Sequence, residues 1–157
     1  MKLSIRKGFS FGLISGIITT LGLVIGLNSS THSKLVIFGG IFTIAVADAF
    51  SDALGIHISE ESENKHTVKQ IWESTIATFL SKFFFALTFI IPFLFFDIFI
   101  SVILSVIWGL SLITIFSYTI AKRERIKPIK VIREHLLIAI VVIIITHFVG
   151  GLVSTLV

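Results

Sequence analysis

The sequence predicts an all-α, polytopic membrane protein with five transmembrane helices and a cytoplasmic N-terminus. Hydrophobic residues make up 55% of the 157 residues and only 14% are charged, whereas a soluble domain usually has about 25% charged residues. The apolar residues form long runs, and a run of about 20 is enough to cross a hydrocarbon core about 30 Å thick. These runs take up nearly the whole chain, so we expect a single transmembrane domain over residues 1–157.

Five apolar runs can be placed along the chain. They cover approximately residues 9–27, 35–58, 76–96, 98–120 and 136–157. The first run ends at the turn-prone cluster Asn28–Thr31, and Trp72 precedes the third run as an interfacial anchor. The third and fourth runs are nearly continuous, and one helix of roughly 40 residues is about twice as long as a bilayer requires. We therefore expect the chain to turn near Pro92 or Asp97.

The Lys and Arg residues are distributed unevenly around these runs. Eleven of the 13 lie in three segments that a five-span topology places on one side: residues 2–7 and the predicted loops 59–73 and 121–135. Of the other two, Lys34 falls on the opposite side and Lys82 lies inside the third span. Because cytoplasmic loops are rich in Lys and Arg, the side with the N-terminus is predicted to be cytoplasmic. The net charge of +4 thus reports topology, and we expect no nucleic-acid partner.

Two acidic residues interrupt the second apolar run. Asp48 and Asp52 are four residues apart, so they share one face of a helix. An acid near the centre of a membrane helix costs about 2.5–3.5 kcal/mol on insertion scales and usually marks an ion or proton pathway. The chain has no cysteine, and oxygen ligands without thiols suit divalent ions such as Mn²⁺ and Fe²⁺. We therefore predict that Asp48 and Asp52 bind a metal cation, exchange protons, or both.

Lys82 offers a structural alternative for the same two acids. It lies in the third span at a depth similar to that of Asp52, so the two could form an ion pair that only holds the helices together. One Lys can neutralise one Asp but not both, which favours the functional interpretation. Both roles are compatible if Lys82 is an internal counter-charge that a cation or a proton displaces.

Four further residues are candidates for ion binding or proton transfer. Glu60, Glu61 and Glu63 follow the second run on an otherwise basic side of the membrane, where they could concentrate cations. A solvated loop of mixed charge explains them equally well. His147 lies in the middle of the last span and could relay protons or bind the ion, or it could simply form a hydrogen bond to a neighbouring helix.

Small residues recur along the first run. Gly12 and Gly16, and then Gly22 and Gly26, form two pairs with three residues between their members, a spacing typical of closely packed membrane helices. This spacing predicts a helix contact without identifying the partner. A homodimer through the first helix would also enclose an ion pathway between two subunits. A small subunit with five spans does not readily enclose such a pathway alone.

Two stretches of the sequence resemble the vacuolar iron transporter (VIT) family. Residues 11–26 read FGLISGIITTLGLVIG and are similar to the opening helix of that family, and residues 47–59 read ADAFSDALGIHIS and are similar to its second helix. A weaker likeness lies near the end of the chain, where residues 146–151 read THFVGG. The five spans and the cytoplasmic N-terminus agree with this family.

The resemblance implies a compact, divergent member of the family. The acid of the family's first helix falls on Ser15 here, the Met of its second helix on Asp52, and the Glu of that helix on Ile56. The long, glutamate-rich cytoplasmic domain that some members carry after the second span is reduced to residues 59–73. The acids of the site are therefore rearranged, with Asp48 at a position that is usually small.

The resemblance implies a transporter that exports Fe²⁺ or Mn²⁺ from the cytosol, and proton antiport, which some members of the family use, is one mechanism that it suggests. In this hypothesis Asp48 and Asp52 bind the ion, Ser15 and Thr19 line the facing helix, and protons and divalent cations are the partners besides lipid. The ion is the substrate, and we expect no cofactor. The predicted location is a membrane, multi-pass, and the cell membrane if the protein is prokaryotic.

Two other classes of function are compatible with parts of the sequence. A membrane partner or scaffold without transport activity would use the glycine face and an Asp–Lys82 pair to hold helices together. An intramembrane enzyme is the third class, but an aspartyl protease needs acids on two facing helices, whereas Asp48 and Asp52 share one. The longer aspartate motif of phospholipid-headgroup transferases is also absent from the sequence, so we predict that the protein is not an enzyme.

Overall fold

The computed structural model describes residues 2–156, and these form six α-helices without any strand. The helices are α1 (Leu3–Thr31), α2 (Lys34–Ser62), α3 (Val68–Thr88), α4 (Ile90–Phe95), α5 (Ile98–Arg123) and α6 (Pro128–Leu156). Among the described residues, five helical segments are long and apolar enough to cross a membrane: α1, α2, α3 continued by α4, α5, and α6. The predicted all-α class with five such helices is confirmed, and the side on which the N-terminus lies stays a prediction.

The helices extend beyond the apolar runs, so the connections are shorter than the predicted loops. Only residues 63–67 are non-helical between α2 and α3, and only residues 124–127 between α5 and α6. Hydropathy marks the apolar part of a helix, whereas backbone hydrogen bonding continues into its polar ends. The predicted loops 59–73 and 121–135 are therefore largely helical. Met1 and Val157, the latter being the last residue of the predicted fifth span, lie outside the described residues.

The turn between the third and fourth spans occurs at Phe96 and Asp97. Asp97 is the N-cap of α5, since its Oδ1 accepts a hydrogen bond from the backbone N–H of Ile100 at 3.0 Å, a role in which Asp is favoured. Pro92 lies within α4 instead. Its ring conflicts with the carbonyl of the residue four positions earlier, which accounts for the interruption at Phe89 between α3 and α4.

α1 is the central helix of the fold and contacts α2, α3, α5 and α6. Glycine allows its closest approach to α3. A Cβ atom built on Gly8 would lie 2.1 Å from the carbonyl oxygen of Ser74, and one built on Gly12 would lie 2.3 Å from that of Thr78. Both distances are well below van der Waals contact, so the backbones of α1 and α3 touch directly.

The glycines that the sequence suggested for a dimer contact other helices of the same chain. Gly12 and Gly16 face α3, and Gly22 and Gly26 face Thr146 of α6. Their absent side chains therefore serve packing within one subunit. The homodimer stays a prediction, but the glycine face of the first helix is already occupied, and a second copy needs another surface.

Candidate metal-ion site

The second helix divides its surface into faces with different chemistry. Its buried face carries Ile37, Ile41, Ala45, Ala49 and Ala53, which pack inward. Large apolar side chains form an exposed face at four-residue spacing: Phe42, Val46, Phe50, Leu54 and Ile58. A third face, also exposed, carries small residues at the same spacing: Gly39, Thr43, Ala47, Ser51, Gly55 and Ser59. We call this third set the small face of α2.

Asp48 and Asp52 lie on α2 next to the small face. Their side chains are 26% and 20% exposed, so each carboxylate is partly buried against the helices and partly open to the outside. Both point towards α3, which supplies Lys82, and Ser15 of α1 joins the same cluster. Three helices thus converge on this group of four polar side chains.

Lys82 contacts both aspartates with one ammonium group. Its Nζ lies 2.6 Å from Asp48 Oδ2 and also donates to Asp52 Oδ2, while the Lys82 side chain is only 1% exposed. The contact with Asp48 is an ion pair without hydrogen-bond alignment, because no hydrogen bond to that oxygen occurs among the described residues. The cluster therefore carries two negative charges and one positive charge.

Ser15 completes the cluster from the side of α1. Its hydroxyl donates a hydrogen bond to Asp52 Oδ2 at 2.6 Å and accepts one from Lys82 Nζ at 2.9 Å. The long stem of Lys82 crosses α1 at Gly16, where a Cβ atom would lie 3.0 Å from Lys82 Cγ. Gly16 therefore leaves the space that lets Lys82 reach the aspartates, a packing role that its spacing alone does not indicate.

An open groove leads along α1 and α2 to Asp48. It has a volume of about 790 Å³ and runs from Leu27 and Val36 to Asp48 and Ser51. Thr19 also lines it, and the buried Thr19 Oγ1 has no hydrogen-bond partner among the described residues. The groove thus brings an unpaired hydroxyl oxygen and a carboxylate to the same wall, on the end of α2 that is predicted to lie outside the cytosol.

The three glutamates at the other end of α2 have different surroundings. Glu60 is only 1% exposed; its Oε2 accepts a hydrogen bond from Ser74 Oγ at 3.0 Å, and its Oε1 lies 3.0 Å from Lys7 Nζ. Glu63 lies 3.3 Å from His66 Nε2, and Glu61 is exposed. Glu60 and Glu63 line a cavity of about 430 Å³ with Lys7 and His66. The partners Ser74 and Lys7 were not predicted from the sequence, since contacts between distant segments leave no local signal.

The structure does not gather all the candidate residues into one centre. Glu60 is two helical turns from Asp52, about 12 Å along α2 at 1.5 Å per residue. His147 is on α6, where its Nδ1 lies 2.7 Å from Ser29 Oγ of α1, away from the aspartates. Across residues 2–156, no group of three or more His, Cys, Asp or Glu side chains is arranged to hold a metal ion.

Residues 7–71 match the family model of the VIT family. This match covers about two-fifths of the chain and supports membership of the VIT family. The matched segment runs from α1 through α2 to the start of α3, so it contains Ser15, Thr19, Asp48, Asp52 and the three glutamates. Lys82 and His147 lie beyond it. No curated protein matches the chain.

The match to the VIT family supports transport of metal ions in general. It agrees with a multi-pass membrane protein built from five apolar helices, and a transporter family is consistent with a protein that is not an enzyme. The matched residues 7–71 include both aspartates and all the residues that line the groove. Lys82, whose positive charge contacts both carboxylates, is on α3 beyond the matched residues.

Proposed function

We propose that this protein transports a divalent metal ion, Fe²⁺ or Mn²⁺, out of the cytosol in exchange for protons. The observation that carries the proposal is the pair Asp48 and Asp52, of which Asp48 lines an open groove, in a chain whose residues 7–71 match the VIT family. Each carboxylate is about one-quarter exposed or less, so a bound ion would be partly shielded from solvent and lipid. Protonation of the aspartates from the outer side would release it.

The ligand atoms available near the groove are all oxygens. Asp48 and Asp52 supply carboxylates, and Ser15 and Thr19 supply hydroxyls from the facing helix. Such ligands suit hard and borderline divalent ions and do not separate Mn²⁺ from Fe²⁺. Glu60, Glu61 and Glu63 would attract cations at the cytoplasmic end, although Lys7 already contacts Glu60 and Glu63 and must move aside for an ion to bind there.

We propose a homodimer whose interface is the small face of α2. Small residues at four-residue spacing allow membrane helices to approach closely, and a Cβ atom on Gly39 or Gly55 would meet nothing within 4 Å. A second copy on this face would border Asp48 and Asp52 and would cover the groove that is open in one subunit. The pathway would then have protein on both sides, as a polar route through a bilayer requires.

The experiment that tests the transport function is metal flux into proteoliposomes. The variant Asp48→Asn/Asp52→Asn removes both charges with little change in volume, and we expect it to abolish Mn²⁺ and Fe²⁺ flux. Glu134→Gln is the matched control, because Glu134 is an exposed acid that contacts only Lys130, at 4.0 Å, among the ion pairs of the described residues. Flux that persists in the double Asn variant at the wild-type rate would refute the proposed site.

The ion pair itself supports a second candidate function. A buried Lys82 between two aspartates could serve to hold α2 against α3 in a membrane partner that transports nothing. This alternative predicts no flux in the wild type, with or without a pH gradient, and a stable complex with another membrane protein in mild detergent. In that case the family relationship would reflect ancestry alone.

A further inference from the structure

Lys82 occupies the position between the carboxylates that a bound cation would take. Its ammonium touches Asp48, Asp52 and Ser15 at once, and Asp48 also lines the groove. The side chain is almost completely buried, whereas both aspartates keep an exposed part. An incoming ion can therefore reach Asp48 from the groove, but it meets the positive charge of Lys82 behind that side chain.

The charges of the cluster do not balance while Lys82 is in place. Two carboxylates and one ammonium leave a net charge of −1, which one monovalent cation would neutralise. A divalent ion matches the two carboxylates only if the ammonium withdraws. Lys82 donates hydrogen bonds to Asp52 and Ser15, whereas its contact with Asp48 is an ion pair without a hydrogen bond, so Asp48 is the less firmly held of the two acids.

We infer that Lys82 is a tethered competitor of the transported ion: it occupies the site at rest, leaves when a divalent ion binds, and returns to expel it. This inference rests on the proposed function, since it assumes that Asp48 and Asp52 bind the ion. It assigns Lys82 a role in selectivity and release, beyond that of a fixed structural partner. The positive charge of the ammonium lowers the affinity of the site for the ion and, for the same reason, speeds release of the ion.

A structural role and the proposed role predict opposite effects of removing the charge. Removing one member of a buried ion pair is strongly destabilising. If Lys82 has only a structural role, its replacement should therefore disrupt the site and weaken Mn²⁺ binding. A competitor would instead leave a stronger site behind, because two unopposed carboxylates attract Mn²⁺ more than a cluster that contains an ammonium. The sign of the change in Mn²⁺ affinity therefore decides between them.

The experiment measures Mn²⁺ binding by isothermal titration calorimetry and Mn²⁺ flux in proteoliposomes for three full-length proteins: wild type, Lys82→Met and Lys82→Arg. Met has an unbranched, flexible chain that suits a buried position, and Arg retains the charge. We expect Lys82→Met to lower the Kd at least about tenfold, or about 1.4 kcal/mol, and to lower both the KM and the maximal rate of flux. Lys82→Arg keeps the positive charge and should not tighten Mn²⁺ binding.

The outcomes separate this inference from the proposed function. If the wild type binds Mn²⁺ and Lys82→Met binds it equally well or more weakly, the inferred role of Lys82 is wrong but the proposed function stands. No Mn²⁺ binding by either protein overturns the proposed function and the inference with it, whereas binding that occurs only in Lys82→Met supports the inference.

A charge-matched variant keeps the test decisive if Lys82→Met does not fold. Lys82→Met/Asp48→Asn removes one charge of each sign and keeps the net charge of the cluster at −1. We expect it to bind Mn²⁺ no more tightly than the wild type, and affinity tightened tenfold in this protein would overturn the charge argument.

Discussion

Replacing Gly12 with Ala should destabilise the protein by forcing α1 and α3 apart. The new Cβ atom would lie 2.3 Å from the carbonyl oxygen of Thr78 and 2.9 Å from the Cα atom of the same residue. Since Cβ atoms are essentially never closer than 3.0 Å to such atoms, the backbones must separate by at least about 0.7 Å. Overpacking of this kind costs about 1–3 kcal/mol, and the gain of Ala over Gly in a helix offsets about 0.5–1 kcal/mol of it.

The difference between the centres of these two ranges gives a net loss for Gly12→Ala of about 1 kcal/mol, measured as a lower unfolding midpoint by intrinsic tryptophan fluorescence in mild detergent. Gly151→Ala is the matched control, because Gly151 is also inside a helix but a Cβ atom there would meet nothing within 4 Å. We expect Gly151→Ala to be neutral or slightly stabilising. If Gly12→Ala is as stable as Gly151→Ala, the direct backbone contact between α1 and α3 is wrong.

Two further predictions test the dimer and the turn. Gly55→Leu should leave the monomer folded, since a Cβ atom at Gly55 meets nothing within 4 Å. It should weaken the dimerisation constant in bilayers at least about tenfold, or about 1.4 kcal/mol, as measured by single-molecule photobleaching. Gly151→Leu, outside the small face of α2, should leave the dimer intact, and equal dimerisation of both variants would contradict the interface. Asp97→Ala should lower stability by about 1 kcal/mol through loss of the N-cap of α5, whereas Asp97→Asn should be nearly neutral. If the two variants lose the same stability in a thermal unfolding assay, loss of the cap is not the cause.

The number and type of helices could be predicted from the sequence because membrane spans depend on local composition. A run of about 20 apolar residues identifies a span without any knowledge of its neighbours. Helix ends are less predictable, since α2 continues through Glu60 and Glu61 after its apolar run has stopped. The turn was placed near two residues, and the structure separates their roles: Asp97 caps α5, while Pro92 interrupts the preceding helix.

The contacts of the candidate site depend on distant segments, so the sequence could only suggest them. The four-residue spacing places Asp48 and Asp52 on one face, but it does not show that a single ammonium contacts both. The depth of Lys82 suggested one partner, and the structure gives it two aspartates and Ser15. The spacing of the glycines in α1 predicts a close helix contact without identifying the other helix. In the structure that helix is α3 or α6 of the same chain.

The packing of α1 on α3 and the chemistry of the site depend on each other. Lys82 reaches α2 only because Gly16 leaves room for its stem, and Gly12, one turn away on the same face, holds the two backbones in contact. A wider gap between α1 and α3 would weaken the hydrogen bond from Lys82 to Ser15 and the packing of the Lys82 stem on Gly16, since Lys82 is attached to α3 while Ser15 and Gly16 are attached to α1. If Lys82 competes with the ion, a folded variant in which this loss displaces the ammonium from Asp48 and Asp52 should bind Mn²⁺ more tightly while it becomes less stable. Gly12 and Gly16 would then influence how strongly the protein holds its ion, although neither is a ligand.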